Sequence, residues 1–165
     1  LFSSTQIKAA AALLDELRSR GLKLAAAESC TGGLVTALLT EIAGSSTVVE
    51  RGFVTYSNAA KHELLGVPEA MLAEHGAVSE PVARAMAEGA LAHSAADVTV
   101  AVTGIAGPGG GSAEKPVGLV HIAAARRGGA VLHQECRFGD IGRAEVRLAS
   151  VDTALQLISR AAAAP

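Results

Sequence analysis

The chain has 165 residues, half of them apolar, and a formal net charge of −2 at pH 7. That length suits one domain with a sizeable core, taken here as residues 1–165, and the charge balance gives no electrostatic case for nucleic acid. Aromatic residues make up only 2% of the chain, so the core must be built from Ala, Val, Leu and Ile.

No apolar run approaches the roughly 20 residues of a membrane span. Residues 1–21 carry charges throughout and read as an amphipathic helix, not a signal peptide. Ser4 or Thr5 is placed to cap that helix, Ile7, Ala10, Leu14 and Leu17 form its apolar face, and Gly21 ends it. Leu22 to Ala27 reads as a short buried strand, and Gly32 to Ala43 as a helix. Thr47 to Tyr56 is the next strand, followed by a short helix that Asn58 would cap and Gly66 would end. A second short helix covers Pro68 to Glu74, and Ser79-Glu80-Pro81 opens a longer one. Val98 to Thr103 is a β-branched run suited to a central strand. A glycine-rich loop then leads to two strands, Val117 to Ala125 and Ala130 to Phe138, joined as a hairpin at Arg127-Gly128-Gly129. The last helix starts near Gly142, and the Ala-rich tail from Ala161 is expected to fray. Helices alternating with strands, then a late hairpin, predict a three-layer α/β/α sandwich around a mixed, mostly parallel sheet.

In open sheets of this class, ligands gather beyond the carboxyl ends of the parallel strands. Three such ends carry reactive or ligand-binding residue types. At the first, Ser29, Cys30, Thr31, Gly32 and Gly33 form a strand-to-helix turn, where backbone N–H groups can stabilise developing negative charge. Ser29 or Thr31 can equally serve as a helix cap there. The second end holds Tyr56 and Lys61. A lysine in the first helical turn opposes the helix dipole, which favours its neutral form and the role of general base, and burial beside a ligand would add to this, although a solvated surface lysine fits the same position. The third end holds Thr103 and the loop Gly104 to Ser112, which lacks a Walker pattern but can form a nest of N–H groups for a phosphate. Arg143 and Arg147 lie one turn apart, able either to fork around an anion or to pair with Glu145 or Asp140 on a solvated face. Cys30 and Cys136 stand far apart without metal-ligand spacing, a pattern of reduced cytosolic proteins. The five histidines show no ligand spacing either, so no metal is assigned.

Several ordered segments carry a family likeness: Glu28-Ser29-Cys30-Thr31-Gly32-Gly33, Tyr56-Ser57-Asn58-Ala59-Ala60-Lys61, Gly76-Ala77-Val78-Ser79-Glu80, Thr103-Gly104-Ile105-Ala106-Gly107-Pro108-Gly109-Gly110 and Arg143 to Arg147. Together they resemble the CinA carboxyl-terminal domain family, in its stand-alone form, over nearly the whole chain. The resemblance implies a cytoplasmic, cofactor-free amidohydrolase that converts nicotinamide mononucleotide to nicotinate mononucleotide and ammonia. It implies Ser29 as nucleophile, with Lys61 and Tyr56 as its partners, Lys61 acting directly or through Tyr56. Substrate contacts are expected from Thr31, Gly32, Gly33, Asn58, Thr103, Gly104, Gly107, Gly109 and Arg143. Cys30 is the rival nucleophile, since a thiol at a helix N-terminus is activated. Adjacent residues leaving a strand point to opposite sides, however, so both cannot face one cleft. A non-catalytic nucleotide-binding or regulatory module is the alternative function. Amphipathic helices rich in alanine suggest a homodimer or higher oligomer.

Overall fold

A computed structural model describes residues 1–164. Helix α1 (Ser4–Ser19) is capped by Ser3, one residue before the expected cap. Three hydroxyl residues compete there, and Gln6 decides between them. Only Ser3 has a Gln three residues on, so that its Oγ accepts from the Gln6 N–H while Gln6 Oε1 accepts from the Ser3 N–H, both at 3.1 Å.

Strand β1 (Leu24–Glu28) is buried along its whole length. Its parallel neighbours are β2 (Val49–Val54) and β3 (Val98–Gly104). Strands β4 (Leu119–Arg126) and β5 (Val131–Arg137) follow as the antiparallel hairpin, giving the order β2-β1-β3-β4-β5. The sheet is therefore mixed, with β1 and β3 buried between layers as the apolar runs required.

Alternate residues of the central strands feed two cores. Ala26, Val100, Val102 and Ile122 pack with α1, α2 (Leu34–Thr40) and α6 (Arg143–Ala163). Ala27, Ala101 and Ala123 pack on the other face with α3 (Asn58–Leu65), α4 (Glu69–His75) and α5 (Glu80–Ala92). This is the predicted α/β/α sandwich, and its small strand residues let the helices sit close. Helices α3 and α5 meet closely, and a Cβ on Gly89 would strike the Leu65 carbonyl. The expected fraying does not occur over Ala161 to Ala163, where Ala161 and Ala162 lie fully buried in the last turn of α6; Pro165 lies outside the described residues. Among the described residues no helix is long and apolar enough to cross a membrane.

Candidate active site

Strand register sets the site. Ser29 continues β1 by donating its N–H to the Val102 carbonyl at 2.9 Å, and Thr55 continues β2 by donating to the Glu28 carbonyl at 2.9 Å. These bonds align Thr55, Ser29 and Thr103 at one level, and the β3–β4–β5 register adds His121 and Glu135. The period of two puts this polar row on the same face as Ala27, Ala101 and Ala123, the face covered by α3 to α5. It also sends Cys30 to the opposite core, as expected.

From that covering layer Lys61 reaches down to Ser29. It is 1% exposed, which rules out a surface role. Its Nζ lies 3.0 Å from Ser29 Oγ, 2.9 Å from the Thr55 carbonyl and 3.3 Å from the Tyr56 carbonyl. Carbonyls only accept, so they take two N–H bonds of the amine. The third direction points at Ser29 Oγ. A neutral Lys61 therefore satisfies both carbonyls and still offers its lone pair to the serine proton. Burial holds its pKa below the ordinary lysine value, and no carboxylate forms an ion pair with it among the described residues. The leading physical cause is thus desolvation, the effect expected to add to the helix dipole. The cap of α3 is also Ser57, not Asn58: Ser57 Oγ accepts from the Ala60 N–H at 3.0 Å.

The turn after Ser29 closes with Gly32 donating to the Ser29 carbonyl at 3.0 Å and Leu34 to the Thr31 carbonyl at 3.0 Å. Gly32 and Gly33 have φ of +57° and +104°, conformations that favour glycine. Thr31 does not cap α2, because its Oγ1 is buried without a hydrogen-bond partner. The cap is a residue that the sequence reading passed over. Glu28 accepts from the Val35 and Thr36 N–H groups at 2.8 and 3.1 Å and from Thr36 Oγ1 at 2.9 Å. A carboxylate closing an apolar strand just before a helix was the available signal. These bonds, with that of Gly32, leave the N–H groups of Thr31 and Gly33 uncommitted within the described residues, while the Cys30 N–H faces its own sulfur. The expected donor at Gly32 is spent.

Cys30 is a poor nucleophile in this setting. Burial pushes its thiol up to about 12, against the activation expected at a helix N-terminus.

The other expected site residues divide. Tyr56 offers Lys61 its carbonyl only; the ring is 62% exposed, and its hydroxyl accepts from Arg143 Nη2 at 3.1 Å. Arg143 Nη1 also donates to the Gly107 carbonyl at 2.8 Å, so one guanidinium ties Tyr56 to the glycine loop. Arg147 donates from Nε to the Cys30 carbonyl at 3.0 Å and from Nη2 to the Thr31 carbonyl at 3.1 Å. Neither arginine pairs with Glu145 or Asp140 among the described residues. Thr103 lies beside Ser29, but its hydroxyl donates to the Ala77 carbonyl at 2.9 Å and anchors the α4–α5 loop. Gly104 is required by packing, since a Cβ there would meet Val120 Cγ2 at 2.6 Å; so is Gly107, against Val117 Cγ1 at 2.6 Å. Gly109 faces open space. Asn58 lines a separate depression with Ala59, His62 and Leu72, away from Ser29. Among the described residues no group of three or more His, Cys, Asp or Glu side chains is placed to hold a metal. Surface depressions lie between α1 and α6 and between α3 and α4, and Ser29 lines neither, so chemistry, not concavity, picks it out.

Residues 6–162 match the model of the family described as CinA C-terminal domain. The chain belongs to that family. The crystal structure of competence/damage inducible protein CihA from Agrobacterium tumefaciens superposes with a TM-score of 0.96 at 56% identity, covering 98% of each chain. Nicotinamide-nucleotide amidohydrolase PncC of Escherichia coli K12 is 54% identical over 143 residues, covering 86% of each. A CinA-like protein of Syntrophus aciditrophicus is 55% identical over 157 residues. The chain spans only 36% of the length of that relative, and 26% of a Symbiobacterium thermophilum one, whereas it matches the PncC proteins over most of their length.

Proposed function

We propose that this CinA domain is a nicotinamide-nucleotide amidase, hydrolysing the carboxamide of nicotinamide mononucleotide with Ser29 as nucleophile and Lys61 as its general base. The observation that carries the reading is the 3.0 Å contact between a buried, charge-disfavoured Lys61 Nζ and Ser29 Oγ. PncC relatives matched over most of their length support the substrate.

In the first half-reaction Ser29 Oγ attacks the carboxamide carbon while its proton passes to Lys61 Nζ. The uncommitted N–H groups of the turn stabilise the oxyanion. The C–N bond then breaks, Lys61 returns the proton to the leaving nitrogen, and ammonia departs from an ester on Ser29. Water attacks that ester, Lys61 takes its proton and gives it to Ser29 Oγ, and nicotinate mononucleotide is released. Lys61 acts directly in this scheme, because the Tyr56 hydroxyl is held by Arg143. Tyr56 and Arg143 are instead assigned to the substrate rim, with the glycine loop facing the phosphate. A non-catalytic binding module would have no need of a lysine desolvated against a serine. The proposal includes a single domain, a cytosolic setting favoured by two unpaired, buried cysteines, and self-association.

The test is ammonia release from nicotinamide mononucleotide by the purified chain and by Ser29→Ala. Wild-type turnover that is abolished in the variant is expected; turnover retained near the wild-type rate removes Ser29 from the mechanism.

A further inference from the structure

We infer that Arg147 is a positioning residue for the oxyanion site, holding the Thr31 N–H toward the face on which Ser29 and Lys61 meet. The inference rests on the reading of Ser29 as an acyl-transfer nucleophile and adds a residue whose hydrogen bonds go to backbone carbonyls of the turn.

The argument starts from the layers. Arg147 belongs to α6, on the sheet face that holds Cys30 and α2. The Ser29 side chain and Lys61 lie on the opposite face, with α3 to α5. Arg147 spends Nε and Nη2, adjacent donors on one edge of its guanidinium, on the successive carbonyls of Cys30 and Thr31. Both carbonyls are thereby drawn toward the α6 side. A trans peptide sets its N–H opposite its C=O. The Cys30–Thr31 peptide, with its oxygen held by Arg147 Nε, must therefore present the Thr31 N–H away from α6. That donor has no partner within the described fold.

The carbonyl of the second peptide accepts from the Leu34 N–H as well as from Arg147, so the Cys30 carbonyl is the one that Arg147 holds alone. The N–H of that second peptide belongs to Gly32 and returns to the Ser29 carbonyl, so the turn is closed on both sides of the Thr31 donor. Arg147 makes no ion pair among the described residues, which leaves the carbonyls as its only identified anchors. Its spacing from Arg143 divides the labour along α6: Arg143 ties the rim, and Arg147 ties the nucleophile turn. An anion-binding fork formed by the two together is inconsistent with these contacts.

The experiment compares wild type, Arg147→Ala, Arg147→Gln and Arg147→Lys, each checked for wild-type circular dichroism. With nicotinamide mononucleotide, Arg147→Ala should lose kcat by about 10²-fold with KM changed less than about threefold, the signature of a contact made in the transition state. Guanidinium ion added to Arg147→Ala should restore part of kcat, and Arg147→Lys, which can hold one carbonyl, should fall between. The acid limb of the pH profile should stay in place, because the Ser29–Lys61 pair is untouched.

A fluorophosphonate probe gives a readout free of the nucleotide: the Ser29 Oγ–P bond forms, P–F breaks, fluoride leaves and the proton goes to Lys61. Slower labelling of Arg147→Ala is expected there too. If wild type labels with the probe but releases no ammonia, the substrate reading fails while the inference is still decided by the labelling rates. Unchanged kcat and labelling, a loss confined to KM, or a displaced acid limb would each overturn the inference, as would guanidinium failing to rescue a folded Arg147→Ala.

Discussion

Replacing Lys61 by Met separates two consequences of burying an amine. Met fills a similar volume without charge. The variant removes the proton acceptor 3.0 Å from Ser29 Oγ, so turnover should fall by at least about 10³-fold, the scale on which general-base and nucleophile pairs act. Stability should respond differently. The Thr55 and Tyr56 carbonyls lose a donor, at about 1–3 kcal/mol for each that stays buried and unpaired. Against this stands the penalty of desolvating the amine, which Met does not carry.

The pH dependence distinguishes the terms. Lys61 has a lowered pKa when folded and an ordinary one, about 10.4, when unfolded. Between those two values the unfolded chain binds more protons, so wild-type stability rises with pH, by up to about 1.4 kcal/mol per pH unit from this residue. The full contribution is present above the unfolded value and is lost as pH falls to the folded one. Lys61→Met lacks the slope, so wild type should gain on it as pH rises through that window. Denaturant titrations of both proteins from pH 7 to 10.5, at constant m-value, measure the difference directly. Parallel stability curves would refute the claim that the lysine is desolvated, and a mechanism using neutral Lys61 would lose its basis. The same window governs catalysis: wild-type kcat/KM should climb with pH along an acid limb whose midpoint lies below the ordinary lysine value.

Glu28→Gln keeps one acceptor for the start of α2 but turns an amide NH2 toward the other N–H, so it should cost about 1–3 kcal/mol, read as a lower denaturation midpoint. Gly89→Ala pushes a methyl into the Leu65 carbonyl and should cost about 1–3 kcal/mol, a fall of roughly 3–10 °C in Tm by calorimetry, with reduced turnover because α3 carries Lys61. Cys30→Ala should keep turnover within about threefold, and iodoacetamide should alkylate wild type only slowly at pH 7, since burial pushes the thiol up to about 12.

The sheet was legible because its signals are local. Val98 to Thr103 is β-branched except at Ala101, and the Gly128-Gly129 turn marks the hairpin. The strand ends that carry the candidate residues were legible, but the contacts among those residues were not. Whether Lys61 is buried depends on α3 resting on α5 through Gly89, a contact between residues far apart in sequence. The direction of the Tyr56 hydroxyl depends on Arg143, 87 residues away. The buried Ala161 and Ala162 are set by the opposing core, where local composition suggested only a frayed end. Asn58 and Ser57 compete as caps one residue apart, and backbone geometry decides.

The assignments around Ser29 depend on one another. Glu28 occupies the first available donors of α2, which would otherwise be an anion site. With those taken, charge developing at Ser29 must be met by the turn itself, and the turn's carbonyls would repel it if they faced the cleft. Arg147 holds them on the far side. Cys30, directed into the same far core, is thereby removed from competition with Ser29 by the alternation that turns the serine toward Lys61. A single strand end thus separates donors, acceptors and the proposed nucleophile onto different faces. Choosing Ser29 over Cys30 follows from that separation as much as from the distance to Lys61.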